Sequence, residues 1–198
     1  MNKLISQLQS SDPEIVRRAE KKLIKAADLK YVGPLLSLYL AGDTGLTMVL
    51  SGYRKHYGLI NRLLIRKFKT SKRKLTREMA ICGLNDFPEK SSVPFLKKLA
   101  GNRTDLEFKT IALYALSKIL TFEAPGIEDD VYTLFVDAIN DRAVQIRTAG
   151  FNGLIYMRHH DTGKLLARAF KDPDHLIRCN ASDWEAMRRG IYSRSKKA

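Results

Sequence analysis

Residues 146–154 read IRTAGFNGL, and close variants of that phrase recur along the chain. Counted from Ile146, an apolar residue is followed by a basic one at +1 (Arg147), a small one at +4 (Gly150) and Leu at +8 (Leu154). Residues at 0, +4 and +8 share one side of an α-helix, so the phrase specifies a helix with a single packing stripe. It returns as Thr76-Arg77 with Ala80 and Leu84, as Phe108-Lys109 with Ala112 and Leu116, and as Ile177-Arg178 with Ala181. A looser copy starts at Ile15, with Ala19, Leu23 and its basic residue slipped to Arg17. The starts at 76, 108, 146 and 177 are 32, 38 and 31 residues apart, and the 61 residues from 15 to 76 leave room for one further unit near Leu46 and Leu50. A helical phrase returning every thirty-odd residues excludes an ordinary globular core: each unit must bury its apolar stripe against its neighbours.

Between these copies lie shorter apolar segments that read as first helices of helix–turn–helix units: residues 2–9, YVGPLLSLYLA at 31–41, GLINRLLIRKF at 58–68, VPFLKKLA at 93–100, IEDDVYTLFVDAIN at 127–140 and residues 162–171. Ser11 or Asp12 is placed to cap the first of the second helices, with Pro13 in its first turn and Ile15, Ala19 and Leu23 facing inward. Pro34 and Pro94 are read as equivalent helix-start residues. The second unit lacks both the basic residue and the small one, and its GDTG segment, Gly42 to Gly45, has no Gly-Lys-Ser/Thr ending and reads as a turn. The sixth unit carries Glu185 where Leu is expected at +8 and holds Trp184, the single Trp, as an end-cap unit would.

The pairs Asp12-Pro13 and Asp172-Pro173, the pairs Ile146-Arg147 and Ile177-Arg178, and phrases such as VPFLKKLA make the chain resemble the HEAT-repeat family, most closely its short, bilin-lyase-like repeats. The resemblance spans residues 1–190 as a single repeat domain and leaves 191–198 as a basic tail. It implies an all-α solenoid of about six helix–turn–helix repeats, wound as a right-handed superhelix with second helices on the concave side. It also implies a ladder role for the basic +1 residue, paired with the Asp that opens its helix: Asp141 before Arg147 and Asp172 before Arg178. About function it implies little, because the family is defined by its scaffold.

Charge is the most specific functional signal. The formal net charge is +14, and from Thr44 to Arg77 there is no Asp or Glu against ten Lys and Arg. Within that stretch Arg62, Arg66, Lys69 and Arg73 recur at intervals of 4, 3 and 4, a phosphate-tracking row if the helix extends so far. Arg54, Lys55, Lys72 and Lys74 complete the candidate contact set. Surfaces ordinarily mix both signs, so a long acid-free segment suits an acidic partner, although a merely solubilising face accounts for it as well. Tyr53, His56 and Tyr57 lie among these charges, with stacking on bases and packing between repeats both open as uses. Glu123, Glu128, Asp129, Asp130 and Asp137 form an acidic edge farther along.

Catalytic and metal signatures are sparse. His56, His159, His160 and His175 are scattered, no His-Glu step exists for the di-iron centre that some HEAT relatives hold, and no metal or other cofactor is expected. Cys82 and Cys179 are read as buried free thiols of a reducing compartment. No apolar run approaches the roughly 20 residues of a membrane span, and the N-terminus lacks signal-peptide character, so a cytoplasmic protein is expected. Of enzymes, the alkylpurine DNA glycosylases built on HEAT-like repeats fit poorly, since Asp183-Trp184 is the sole Asp-Trp pair. The reading is thus a non-enzymatic adaptor or scaffold for an acidic protein or protein complex, the alternative being a DNA- or RNA-binding protein related to those glycosylases.

Overall fold

The computed structural model describes residues 3–101, 105–123, 126–157 and 162–195, and of 123 and 191–195 the backbone alone. Among the described residues there are twelve α-helices and no strand. They alternate as first and second helices of six pairs, and the backbone resolves into two compact units, 1–89 and 90–198. The fold is therefore all-α and of the helical-repeat class.

The first unit holds α1 (Lys3–Gln7), α2 (Pro13–Ala26), α3 (Leu29–Leu40), α4 (Leu46–Ser51), α5 (Tyr57–Thr70) and α6 (Lys74–Asp86). Asp12 caps α2, its Oδ1 accepting from Glu14 N at 2.8 Å, and Pro13 occupies the first turn where a missing N–H costs nothing. Ala19 and Leu23 are fully buried as expected, but Ile15 is 37 % exposed. The helix α3 begins two residues before the apolar run, capped by Asp28. Pro34 consequently lies inside α3, whereas Pro94 stands in a first turn, so the two prolines are not equivalent. In place of a long second helix, the second pair has the six-residue α4 and a 3-10 turn at Arg54–His56, which matches its loss of the repeat phrase.

The second unit holds α7 (Val93–Ala100), α8 (Leu106–Glu123), α9 (Glu128–Ala138), α10 (Val144–Ile155), α11 (Gly163–Ala167) and α12 (His175–Ser195). Small residues of the phrase sit where helices meet most closely. A Cβ added at Gly150 would lie 2.8 Å from Ile139 N and 3.0 Å from Ala138 C, so α9 backbone rests directly on this position. Successive second helices also pack together, α8 on α10 and α10 on α12, with Phe151 stacked on Trp184 at 5.4 Å between ring centroids. Trp184 is therefore a core residue of the last pair.

Several expectations change. Glu128 is only 2 % exposed and leaves the acidic edge. Cys179 is exposed and Cys82 half-buried, so neither thiol is sequestered; Cys179 lies on the side of α12 that no described helix covers, beside His175 at 3.5 Å. The backbone of residues 191–195 continues α12, so the helix runs past residue 190 into the segment read as a basic tail. His159, His160, Pro125 and the last three residues lie outside the described ones.

Candidate partner-binding surface

The acid-free stretch folds as α4, the 3-10 turn, α5 and the start of α6, all within the first unit, and its charges all follow α4. Ile60, Leu64 and Phe68 point into the core, which leaves Arg62, Arg66 and Lys69 exposed together on one face of α5. From Arg62 to Lys69 the helix rises about 10 Å, so these three charges form a short row. Arg62 and Arg66 have no ion-pair partner among the described residues.

The row does not extend to Arg73. The helix ends at Thr70, Ser71 turns to extended backbone, and its Oγ accepts from Arg73 N at 3.2 Å. Arg73 thus stands at the N-cap of α6, off the α5 face, and Lys72 lies in the same exposed turn. Like charges four residues apart repel, and an Ser-Lys-Arg turn separates them more cheaply than a continued helix would. Lys74 opens α6 and pairs with Glu78 at 3.1 Å. Arg77 lies over the Phe68 ring, 4.6 Å from its centroid. Arg54 and Lys55 are exposed on the 3-10 turn. Of the eight candidates, then, three share a helix face, two flank it in the following turn, one is drawn to an internal carboxylate, and two sit on a separate turn.

The interleaved aromatic residues are structural. Tyr53 is fully buried and donates its hydroxyl to Leu23 O at 3.1 Å; burial raises its pKa to about 12. His56 Nε2 lies 3.1 Å from Ala27 O and, facing a carbonyl, acts there as donor. Together they reach carbonyls at the end of α2: Leu23 O, which also accepts from Ala27 N at 2.9 Å, and the carbonyl of Ala27, which stands in the left-handed region at φ 40°. Tyr57 packs against Phe87 at 5.6 Å between centroids. Tyr53 is thus sequestered, while His56 and Tyr57 are half-buried.

In the second unit the basic +1 residues build a ladder whose pairing differs from the expected one. Arg147 donates through Nε and Nη2 to both oxygens of Asp172, at 2.9 and 2.8 Å, and so grips the turn that opens the next second helix. Its Nη1 meanwhile bonds the carbonyls of Asp141 and Arg142 in its own turn. Lys109 reaches Asp141 at 2.7 Å in the same forward direction. Arg178 anchors Nη1 on the carbonyls of Asp172 and Pro173 as Arg147 does on its own turn. Each rung thus joins two pairs, and the carboxylate belongs to the following repeat. Burial pushes the Asp172 carboxyl up, but the Arg147 hydrogen bonds, the Asp174 N–H and the neighbouring guanidinium charges outweigh it and hold the group below its ordinary value. Asp141 is held low in the same way, burial being overcome chiefly by Lys109 and the Ala143 N–H.

Two clefts lie beside these rungs. One, of about 880 Å³, is lined by Lys109, Leu134, Asp137, Asn140 and Asp141. The other, of about 520 Å³, is lined by Arg142, Arg147, Phe151, Arg168, Lys171 and Asp172. Sequence reasoning did not find them, since their walls come from residues more than twenty positions apart.

No family model matches the chain, and no curated protein matches it. Among solved structures it is similar to a designed armadillo repeat protein in complex with the peptide (KR)4, at 14 % identity and a TM-score of 0.52, with 93 % of this chain and 97 % of that one covered. It is also similar to an engineered protein at 18 % identity and a TM-score of 0.55, covering 96 % and 98 % of the respective chains. At these identities the likeness concerns the fold, a helical-repeat array.

Proposed function

We propose that this chain is a non-enzymatic repeat scaffold of the HEAT type that binds an acidic segment of a protein partner. The observation that carries the reading is the pair Arg62 and Arg66, side by side on an exposed helix face with no carboxylate partner among the described residues. Two guanidinium forks one turn apart suit carboxylates better than isolated lysines would, because each can take a carboxylate bidentately. Lys69, Lys72 and Arg73 extend the positive field beyond them, with Arg54 and Lys55 on the turn before α5.

A helical-repeat array can serve as a peptide-binding scaffold, as the designed armadillo protein with its (KR)4 peptide illustrates. There the peptide is basic, whereas the surface here is basic and calls for the opposite sign. The nucleic-acid reading is weakened, because Tyr53 is sequestered and the half-buried His56 and Tyr57 are engaged within the fold. Among the described residues no helix is long and apolar enough to cross a membrane; a cytoplasmic setting belongs to the same proposal.

The test is fluorescence anisotropy with a labelled Asp/Glu-rich peptide and with labelled single- and double-stranded oligonucleotides, each across a salt series, beside Arg62→Glu/Arg66→Glu. Peptide binding lost in the variant supports the scaffold reading. Oligonucleotide binding that is tighter, falls steeply with salt and vanishes in the variant would overturn it in favour of phosphate recognition.

A further inference from the structure

The smaller of the two clefts beside the ladder, about 520 Å³, has the size of a ligand site and a wall whose charges do not balance. One side is the turn between α9 and α10, carrying Asn140, Asp141 and Arg142; the other is the 3-10 segment Arg168–Lys171 that follows α11, with the turn at Asp172. Arg168 spans the two, donating through Nη2 to Asn140 Oδ1 at 2.7 Å, which brings its guanidinium to the turn that carries Arg142. Asn140 Nδ2 in turn donates to Val136 O at 2.8 Å, so the amide that holds Arg168 is itself fixed.

The carboxylates in this wall are already engaged. Asp172 Oδ1 accepts from Arg147 Nη2 and Asp174 N, and its Oδ2 accepts from Arg147 Nε. Asp141 Oδ2 accepts from Lys109 and its Oδ1 from Ala143 N. Each carboxylate oxygen lining the cleft thus has a donor, and Arg147 is committed to its rung. The remaining cations are not balanced in this way. Arg142 and Lys171 are exposed and have no ion-pair partner among the described residues, and Arg168 meets only the neutral Asn140. Two guanidinium forks and an ammonium group, drawn from opposite walls, offer donors from several directions at once. That suits the three oxygens and nearly two charges of a phosphate monoester better than the two coplanar oxygens of a carboxylate.

We propose that this cleft binds a phosphorylated serine or threonine of a peptide segment, with the phosphoryl oxygens held by Arg142, Arg168 and Lys171. The site lies in the second unit, apart from the α5 face, and shares with that reading only the premise that the chain binds protein segments. The rim argues for a peptide as the source of the phosphoryl group: Phe170, 43 % exposed in the same 3-10 segment, and the exposed Pro173 offer apolar surface to the residues that flank it, which inorganic phosphate would leave unused. Clustered arginines are a general device for holding phosphorylated segments. Here the Asn140 tether orders Arg168 before the ligand arrives, which lowers the cost of binding.

The test is fluorescence anisotropy of the full chain with a labelled pool of short degenerate peptides bearing a central phosphoserine, beside pools with Ser or Glu at that position. The phosphoserine pool should bind about tenfold or more tighter than either of the others. Arg168→Ala and the double variant Arg142→Ala/Lys171→Ala should each erase that difference. Arg62→Glu/Arg66→Glu should keep it, so that failure of the α5 reading and failure of this one are told apart. Equal binding of the three pools, or a phosphoserine preference that survives Arg168→Ala, overturns the proposal. Inorganic phosphate competing as well as unlabelled phosphopeptide would overturn the peptide source, and a terminally phosphorylated oligonucleotide binding tighter than the phosphoserine pool would overturn it in favour of a nucleic-acid end. Circular dichroism of each variant confirms that the helices are intact.

Discussion

Removing Arg147 tests the ladder where its energy is concentrated. Its side chain is 12 % exposed and that of Asp172 is 5 %, with two charge-assisted hydrogen bonds between them. Breaking a buried pair from one side costs about 3–5 kcal/mol, most of it for the charge left behind. The 520 Å³ cleft beside this pair lets water reach a stranded carboxylate, which brings the cost to or just below the bottom of that range, about 2–3 kcal/mol for Arg147→Met. The Lys109–Asp141 pair, 19 % and 27 % exposed with one bond, should lose about 1 kcal/mol in Lys109→Met. Lys97–Asp130, at 37 % and 60 %, should lose under about 0.5 kcal/mol in Lys97→Met. Trp184 supplies a local probe, being the only Trp and stacked on α10. Urea unfolding followed by its fluorescence therefore reports on the second unit. In a double-mutant cycle, Arg147→Met and Asp172→Asn should couple by at least about 1.5 kcal/mol. Coupling below about 0.5 kcal/mol, or equal losses for Lys97→Met and Arg147→Met, would refute the claim that this rung holds α10 to α12.

Gly150→Ala should destabilise the second unit by about 1–3 kcal/mol, because the new methyl meets α9 backbone that cannot rotate away; the same urea titration measures it, and a neutral result would contradict the close helix approach. Ala27→Gly should stabilise the first unit by up to about 1 kcal/mol, since the φ of 40° is costly for Ala, and thermal melts by circular dichroism would show it. Acid should act through the rungs. Asp141 and Asp172 have folded pKa values below their unfolded ones. Their contribution is therefore complete above an unfolded pKa of about 3.9 and is lost as pH falls through the folded values. The urea midpoint read by Trp184 should drop below about pH 4, and less steeply in Asp172→Asn.

The helix pairs were legible because the phrase at 0, +4 and +8 is a statement about one helix face, and that face is what packs. The missing basic and small residues marked the second unit as the departing one, but not that its second helix shortens to α4. What escaped the sequence involves partners far along the chain. Asp172 was assigned to its neighbour Arg178, six positions on, but its carboxylate goes to Arg147, twenty-five positions back, and only its carbonyl goes to Arg178. A spacing rule identifies both residues without saying which atom meets which. The row through Arg73 failed for a local reason, the Ser71 turn ending α5 after Thr70. Ile15 was misjudged because the phrase assigns the same burial to every copy, and Cys179 because it stands at +2, off the stripe at 0, +4 and +8 that packs.

The forward reach of each basic residue also bears on how such an array tolerates change. Lys109 and Asp141 are 32 residues apart and Arg147 and Asp172 are 25 apart, yet both join successive second helices. The clasp is set by where a turn arrives in space, so the chain between one second helix and the next can lengthen or shorten without unfastening it. The 38-residue interval between the phrases at 108 and 146 is then an insertion absorbed outside the clasp. Residues grafted between α8 and α9 should leave the register of the pairs on either side intact, which makes that connection a place where the array can accept new sequence while keeping its order.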